Sequence, residues 1–283
     1  MSVLDVAGLA VEYPGGVRAV DGVSFSVDAG EALVLLGESG SGKTTAARAV
    51  LGLPGRGARV SGSVTLSGTD LRALDARGWS RVRGARIGYV PQDPTGSLDP
   101  LRRIGPQLAE VLLRHRRADG RRAAREAVPA LLAEAGVAEP ERVARAYPHE
   151  LSGGLRQRAA IAIAVCCGPE LLIADEPTTA LDALVRGRVL DLFDELRRER
   201  GIALLLVTHD LTAARRIGGR VAVLRAGRIF GTGPTEQVLG ASPGTAADAD
   251  ADAEADPAAG AAPAAGAADP ADGLVAAEPG GRR

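Results

Sequence analysis

The chain has 283 residues, 46% hydrophobic and 24% charged, with a formal net charge of −1. These proportions suit a globular protein of one large or two small domains and give no whole-chain sign of a nucleic-acid partner. The longest wholly apolar run, Ala159 to Cys167 with nine residues, is about half of the ~20 a bilayer-crossing helix needs, and the absence of a charged-then-apolar opening segment argues against secretion.

In chain order, Val3-Leu4-Asp5-Val6 and Val23-Ser24-Phe25-Ser26-Val27 alternate as strands do, and Ala32 to Leu36 is apolar throughout, as in a strand buried on both faces. A glycine-rich turn follows, then a helix from Lys43 to about Leu51. Val64-Thr65-Leu66 and Ile87-Gly88-Tyr89-Val90 read as short strands. From about Ile104 to Cys167 the character turns helical, rich in Arg, Ala and Leu. Strands return at Leu171 to Ala174, Ile202 to Val207 and Val221 to Leu224, with a helix from about Leu184 to Arg200 completing a strand–helix–strand crossover. That alternation predicts an α/β fold with a mainly parallel sheet and a helical insertion.

Charge and composition are unevenly spread. The last 43 residues (241–283) hold eight acidic groups and two arginines, a net of −6, whereas the other 240 carry +5. Ala, Pro and Gly supply 29 of those 43 residues, a composition that cannot bury enough surface to offset ordering entropy, so a solvated, disordered tail is expected. Asparagine is absent, and Lys43 is the only lysine against 33 arginines. Strong codon bias in the source would explain this without any function; the one remaining ammonium nevertheless sits where a compact point charge rather than a planar fork is expected. Cys166 and Cys167, the only cysteines, are adjacent, which suits neither an ordinary disulfide framework nor a zinc site. They read as small buried side chains in a reducing compartment.

Gly37-Glu38-Ser39-Gly40-Ser41-Gly42-Lys43-Thr44 lies between a buried strand and a helix and fits the P-loop pattern. Its glycines allow successive N–H groups to face phosphate oxygens, and the helix adds the positive end of its dipole. Lys43 is expected on the β- and γ-phosphates and the Thr44 hydroxyl on Mg²⁺, with Thr45 beside them. Asp175 emerges at the carboxyl end of Leu171 to Ala174, where ligands bind in open α/β sheets. It is expected to hold Mg²⁺ through water, and Glu176 to act as general base on an attacking water; two acids ending a strand could alternatively cap a helix. Thr208-His209-Asp210 ends the third buried strand, so His209 is a candidate γ-phosphate contact. The residues alone therefore indicate a P-loop protein that hydrolyses ATP or GTP.

Leu151-Ser152-Gly153-Gly154-Leu155-Arg156-Gln157-Arg158 resembles the signature of ATP-binding cassette (ABC) ATPases, and the resemblance covers about residues 1–240. It implies a RecA-like core with an added antiparallel β part and a helical subdomain at about 94–167. Pro91-Gln92-Asp93 resembles the Q-loop, which implies that Gln92 sits at a hinge, faces Mg²⁺ and joins Glu176 and His209 in catalysis. Ala180-Leu181-Asp182 resembles the D-loop, and Tyr13 sits where the family places an aromatic on adenine. The resemblance further implies a second cassette, identical or related, whose Leu151, Ser152, Gly153, Gly154 and Gln157 act on the ATP held by the first. The stretch from Gln92 to Pro100 is similar to importers of dipeptides, oligopeptides and nickel, with Asp99 where asparagine is expected. Beyond Gly231-Thr232-Gly233-Pro234 and six further residues the chain has Ala241-Ser242-Pro243-Gly244 and the acidic tail, where longer peptide-importer cassettes carry a His-Pro-Tyr segment. The resemblance thus implies an ATP- and Mg²⁺-dependent ATPase subunit, peripheral on the cytoplasmic face of the membrane. Its implied partners are permease subunits and, indirectly, a solute-binding protein, with no nucleic acid. A soluble cassette in a non-transport assembly, or an exporter subunit, is the alternative.

Overall fold

A computed structural model describes residues 2–179 and 181–240; Ala180 of the expected D-loop and the tail at 241–283 lie outside the described residues. Two sheets form the frame. A six-stranded sheet runs β10 (Arg228–Pro234), β9 (Arg220–Arg225), β3 (Ala32–Leu36), β8 (Ala203–Thr208), β7 (Leu171–Asp175) and β6 (Ile87–Val90). From β9 to β6 every pairing is parallel, and β10 closes the edge as an antiparallel hairpin. The second, antiparallel sheet has the order β2 (Val17–Asp28), β1 (Ser2–Tyr13), β4 (Arg59–Leu66), β5 (Thr69–Asp70).

The unbroken apolar runs have a structural cause. All residues of β3, β7 and β8 are buried, and side chains on a strand alternate between faces. Leu33, Leu35, Ile173 and Leu205 point toward α1 (Lys43–Val50) and the antiparallel sheet. Val34, Leu36, Leu172, Ala174 and Leu206 point the other way, into a core shared with α3 (Ile104–Arg114), α4 (Arg121–Glu134), α5 (Pro140–Arg145), α6 (Gly153–Val165), α7 (Ala183–Arg200) and α8 (Leu211–Ile217). The stretch expected to be helical contains α3 to α6, and α6 packs on α3, on α4 and on β6. Gln107 ties the chain after β6 to α3: its Oε1 accepts from Asp99 N at 2.8 Å, and its Nε2 donates to the Asp99 and Arg102 carbonyls at 3.1 and 2.8 Å.

The expected strands and the main helices form where the patterns place them, but some elements carry no pattern. These are α2 (Ala76–Val82), α8, α9 (Thr235–Gly240), β5 and β10. α2 and α8 have seven residues each and begin on aspartate caps, with the Asp75 side chain accepting from Gly78 N and that of Asp210 from Thr212 N and Ala213 N. Among the described residues, no helix is long and apolar enough to cross a membrane.

Candidate nucleotide-binding site

Register brings the predicted motifs to one edge. Leu36 pairs with Thr208, Asp175 with Val207, and Ala174 with Val90, so four parallel strands end side by side. The segments leaving them carry Gly37 to Thr44, Gln92, Glu176 and His209. A cleft of about 880 Å³ opens there, lined by residues 37–40 and 42–45 together with Gln92, Glu176, Thr179 and His209.

The loop needs its glycines for two distinct reasons. Gly42 caps α1 at φ 101, a region costly to side chains, and a Cβ there would lie 2.2 Å from the Ala19 carbonyl oxygen. At Gly37 a Cβ would lie 2.3 Å from the Leu224 carbonyl oxygen. Lys43 folds back across the loop, its Nζ donating to the Gly37 and Glu38 carbonyls, both at 2.7 Å. Only 4% of this residue is exposed. Burial pulls its pKa below the usual lysine value, against the opposing pull of Glu176 and Asp175. The buried Ser41 Oγ has no hydrogen-bond partner among the described residues, an arrangement that costs free energy unless a ligand satisfies it. A glycine-rich loop lining the cleft with one ammonium beside it suits a polyphosphate; Ser41 itself does not line that cleft.

Asp175 is 1% exposed. Its Oδ1 accepts from Thr44 Oγ1 at 2.8 Å and its Oδ2 from Tyr89 Oη at 3.2 Å. Burial raises its carboxyl above the ordinary range, with those two hydrogen bonds acting in the opposite sense. Among the described residues there is no cluster of three His, Cys, Asp or Glu side chains able to hold a metal by itself. One carboxylate and one hydroxyl beside a phosphate cradle nevertheless fit Mg²⁺, which takes few protein ligands and completes its shell with phosphate and water.

Glu176 follows, with backbone φ at 46°, a left-handed conformation that costs a non-glycine residue about 1–2 kcal/mol. Its N–H donates to the Val207 carbonyl at 2.8 Å, which fixes the turn out of β7. Gln92 Nε2 and Thr179 Oγ1 donate to Oε2 at 3.3 and 3.0 Å, and His209 Nδ1 lies 3.2 Å from Oε1. Gln92, Glu176 and His209 are therefore brought together. Thr179 on Glu176 and Tyr89 on Asp175 carry no motif spacing; only the long-range fold reveals them.

Other predicted residues sit elsewhere. Tyr13 is outside the cleft lining; its hydroxyl donates to the Pro54 carbonyl at 2.7 Å. Ser152 caps α6, its Oγ accepting from Leu155 N at 3.3 Å. Gly154 packs so closely that a Cβ would meet Val185 at 2.9 Å. None of residues 151–157 lines the cleft. Gln157 corrects the expectation placed on it: helical phase turns it inward, it is 1% exposed, and it has no surface to offer a partner. Leu181 packs on the core, and Asp182 caps α7 by accepting from Val185 N at 2.9 Å. Arg186, unmarked in the sequence, donates to Asp210 Oδ2 at 2.9 Å and to the Leu181 carbonyl at 3.5 Å, linking the D-loop position to the residue after His209.

The parallel sheet, the glycine cradle and the acid pair at the strand ends define a P-loop nucleotide-binding core. The chain belongs to the ABC transporter family, whose model, described as "ABC transporter", matches residues 20–179. It is 46% identical over 229 residues to the oligopeptide transport ATP-binding protein OppD of Mycobacterium tuberculosis, an alignment covering 80% of this chain and 37% of that one. It therefore spans little more than a third of that relative's length. A putative peptide import ATP-binding protein of Brucella ovis is 45% identical over 247 residues, covering 84% of this chain and 73% of that protein. Among solved structures, the dimeric ATP-binding cassette MJ0796 in a post-hydrolysis state with ADP and Pi aligns with a TM-score of 0.73. Sequence identity there is 28%, over 82% of this chain and 98% of that one.

Proposed function

We propose that this chain is the ATP-hydrolysing subunit of a membrane importer for peptides. The observation that carries the hydrolytic part is Glu176, held by Gln92, Thr179 and His209 at the rim of a cleft floored by the P-loop. The loop N–H groups and Lys43 bind the β- and γ-phosphates; Thr44 and Asp175, joined by Gln92, would hold Mg²⁺, which would neutralise charge on the phosphate oxygens. Glu176 takes a proton from the attacking water as its oxygen bonds to the γ-phosphorus and the bond to the ADP oxygen breaks. Thr179 and Gln92 orient the carboxylate, and His209 uses its other nitrogen on the γ-phosphate.

The position of Ser152, Gly153 and Gly154 outside their own cleft supports their action on the nucleotide of a second cassette, presenting the N-terminus of α6. That the structural relative is a dimer with ADP and Pi supports the participation of a second cassette. In this reading residues 1–240 are the cassette, with its helical part at about 94–167, and 241–283 form an appended tail. Permease subunits receive the motion at the cytoplasmic face of the membrane, and a solute-binding protein delivers cargo. Peptide cargo is favoured over nickel because the relatives described above carry peptide-transport names. The test is isolation of the tagged full chain from detergent-solubilised membranes of its source. Recovery with integral membrane proteins supports the assignment; recovery with nucleic acid and no membrane protein overturns it.

A further inference from the structure

We propose that Cys166 and Cys167 form a two-sulfur site for a soft, thiophilic centre, of which a trivalent arsenical is the chemical type. Cys166 caps the C-terminus of α6 in helical geometry (φ −59, ψ −22) and Gly168 turns the chain away at φ 62. Both thiols are free, Cys166 half-buried and Cys167 buried. Their Sγ atoms lie 3.9 Å apart, and the Cys166 thiol also reaches the Ile163 carbonyl at 3.3 Å, which holds its rotamer. Neither residue lines the nucleotide cleft.

Distance decides which chemistry the pair suits. A disulfide needs sulfurs at about 2.05 Å and α-carbons about 4.4–6.8 Å apart, whereas neighbouring α-carbons are held at about 3.8 Å. Direct oxidation must therefore draw the sulfurs together by about 1.9 Å and strain the turn. Two bonds of about 2.3 Å to one central atom span about 3.3–3.8 Å for bond angles near 90–110°. The resting separation of 3.9 Å is within about 0.6 Å of that span. Inserting an atom also enlarges the ring and relieves the constraint that the adjacent α-carbons impose.

With an aryl arsenic(III) oxide the step balances without oxidant or reductant. Two arsenic–sulfur bonds form, the arsenic–oxygen bond breaks, and the oxygen leaves as water with the two thiol protons. Cys166, the more accessible thiol, attacks first and Cys167 closes the ring. Because α6 is capped by Ser152 and its end feeds β7 and Asp175, the adduct sits on the connection between the signature and Asp175.

The test is intact-mass analysis of the native full chain after equimolar phenylarsine oxide. One adduct is expected, with the mass of the reagent less one water, resistant to excess 2-mercaptoethanol and removed by 2,3-dimercaptopropanol. Cys166→Ser and Cys167→Ser are each expected to lose the monothiol-resistant adduct while keeping the native circular dichroism spectrum. If either variant fails to fold, the two displacement reactions on the unaltered chain decide. An adduct that forms only in urea, is stripped by the monothiol, or persists in a folded single variant would overturn the proposal.

Discussion

Lys43→Ala, set beside Lys43→Arg, separates the two reasons a lysine could stand in the loop. Without nucleotide, Nζ already donates to two carbonyls at 2.7 Å, so triphosphate binding exchanges these bonds for stronger ones to phosphate. The net gain is that of one hydrogen bond between charged groups, about 1.5–3 kcal/mol. Alanine should therefore raise the Kd for a non-hydrolysable ATP analogue roughly 10- to 150-fold. The protein loses little stability, because removing an ammonium whose burial disfavours its charge offsets the two carbonyls left without a donor. Arginine keeps the charge but forces a planar fork into the place of a side chain whose residue is only 4% exposed, and overpacking costs about 1–3 kcal/mol. It should not restore affinity. Isothermal titration calorimetry with magnesium measures all three proteins. Unchanged affinity in Lys43→Ala removes the phosphate clamp, and wild-type affinity in Lys43→Arg refutes the argument from a compact point charge.

Asp175→Asn should raise the melting temperature of the nucleotide-free protein at neutral pH while abolishing magnesium-dependent hydrolysis. Burial lifts the folded pKa of Asp175 above its unfolded value. The native state then binds the extra proton between the two values, so stability falls as pH rises through that window and the penalty is complete above it. Relief of ~0.5–2 kcal/mol corresponds to about 1–8 °C. The gain should shrink as pH drops toward 3.8, and a lower melting temperature at neutral pH would contradict it. Arg186→Ala, which cuts the tie between Leu181 and Asp210, should lower kcat by about 1–2 kcal/mol, or roughly 5- to 30-fold, with nucleotide affinity preserved; steady-state kinetics with an unchanged kcat would sink it. Deleting residues 245–283 should leave melting temperature and ATPase rate nearly unchanged, since the segment lacks the apolar side chains to build a core; a large fall in either means that the tail docks.

What the sequence discloses follows from how local each signal is. Residues 32–36, 171–174 and 202–207 are legible because burial on both faces of a parallel sheet demands an unbroken apolar run. The P-loop is legible because a single stretch of chain supplies nearly the whole cradle. By contrast, α8 is a short helix carried by one aspartate cap, and β10 contains Gly231, Gly233 and Pro234, residues that weaken a strand signal. Thr179, Tyr89 and Arg186 act through partners that only tertiary structure supplies. Gln157 shows the opposite error: proximity to Ser152 in sequence suggests a shared surface, while helical phase sends it to the core.

The most direct trial of the account is phosphate release by the purified full chain and by Glu176→Gln, with ATP affinity measured on both. The unaltered protein is expected to turn over MgATP, and the variant to bind it equally well but turn over at least ~100-fold more slowly. Equal rates in the two proteins would contradict that expectation.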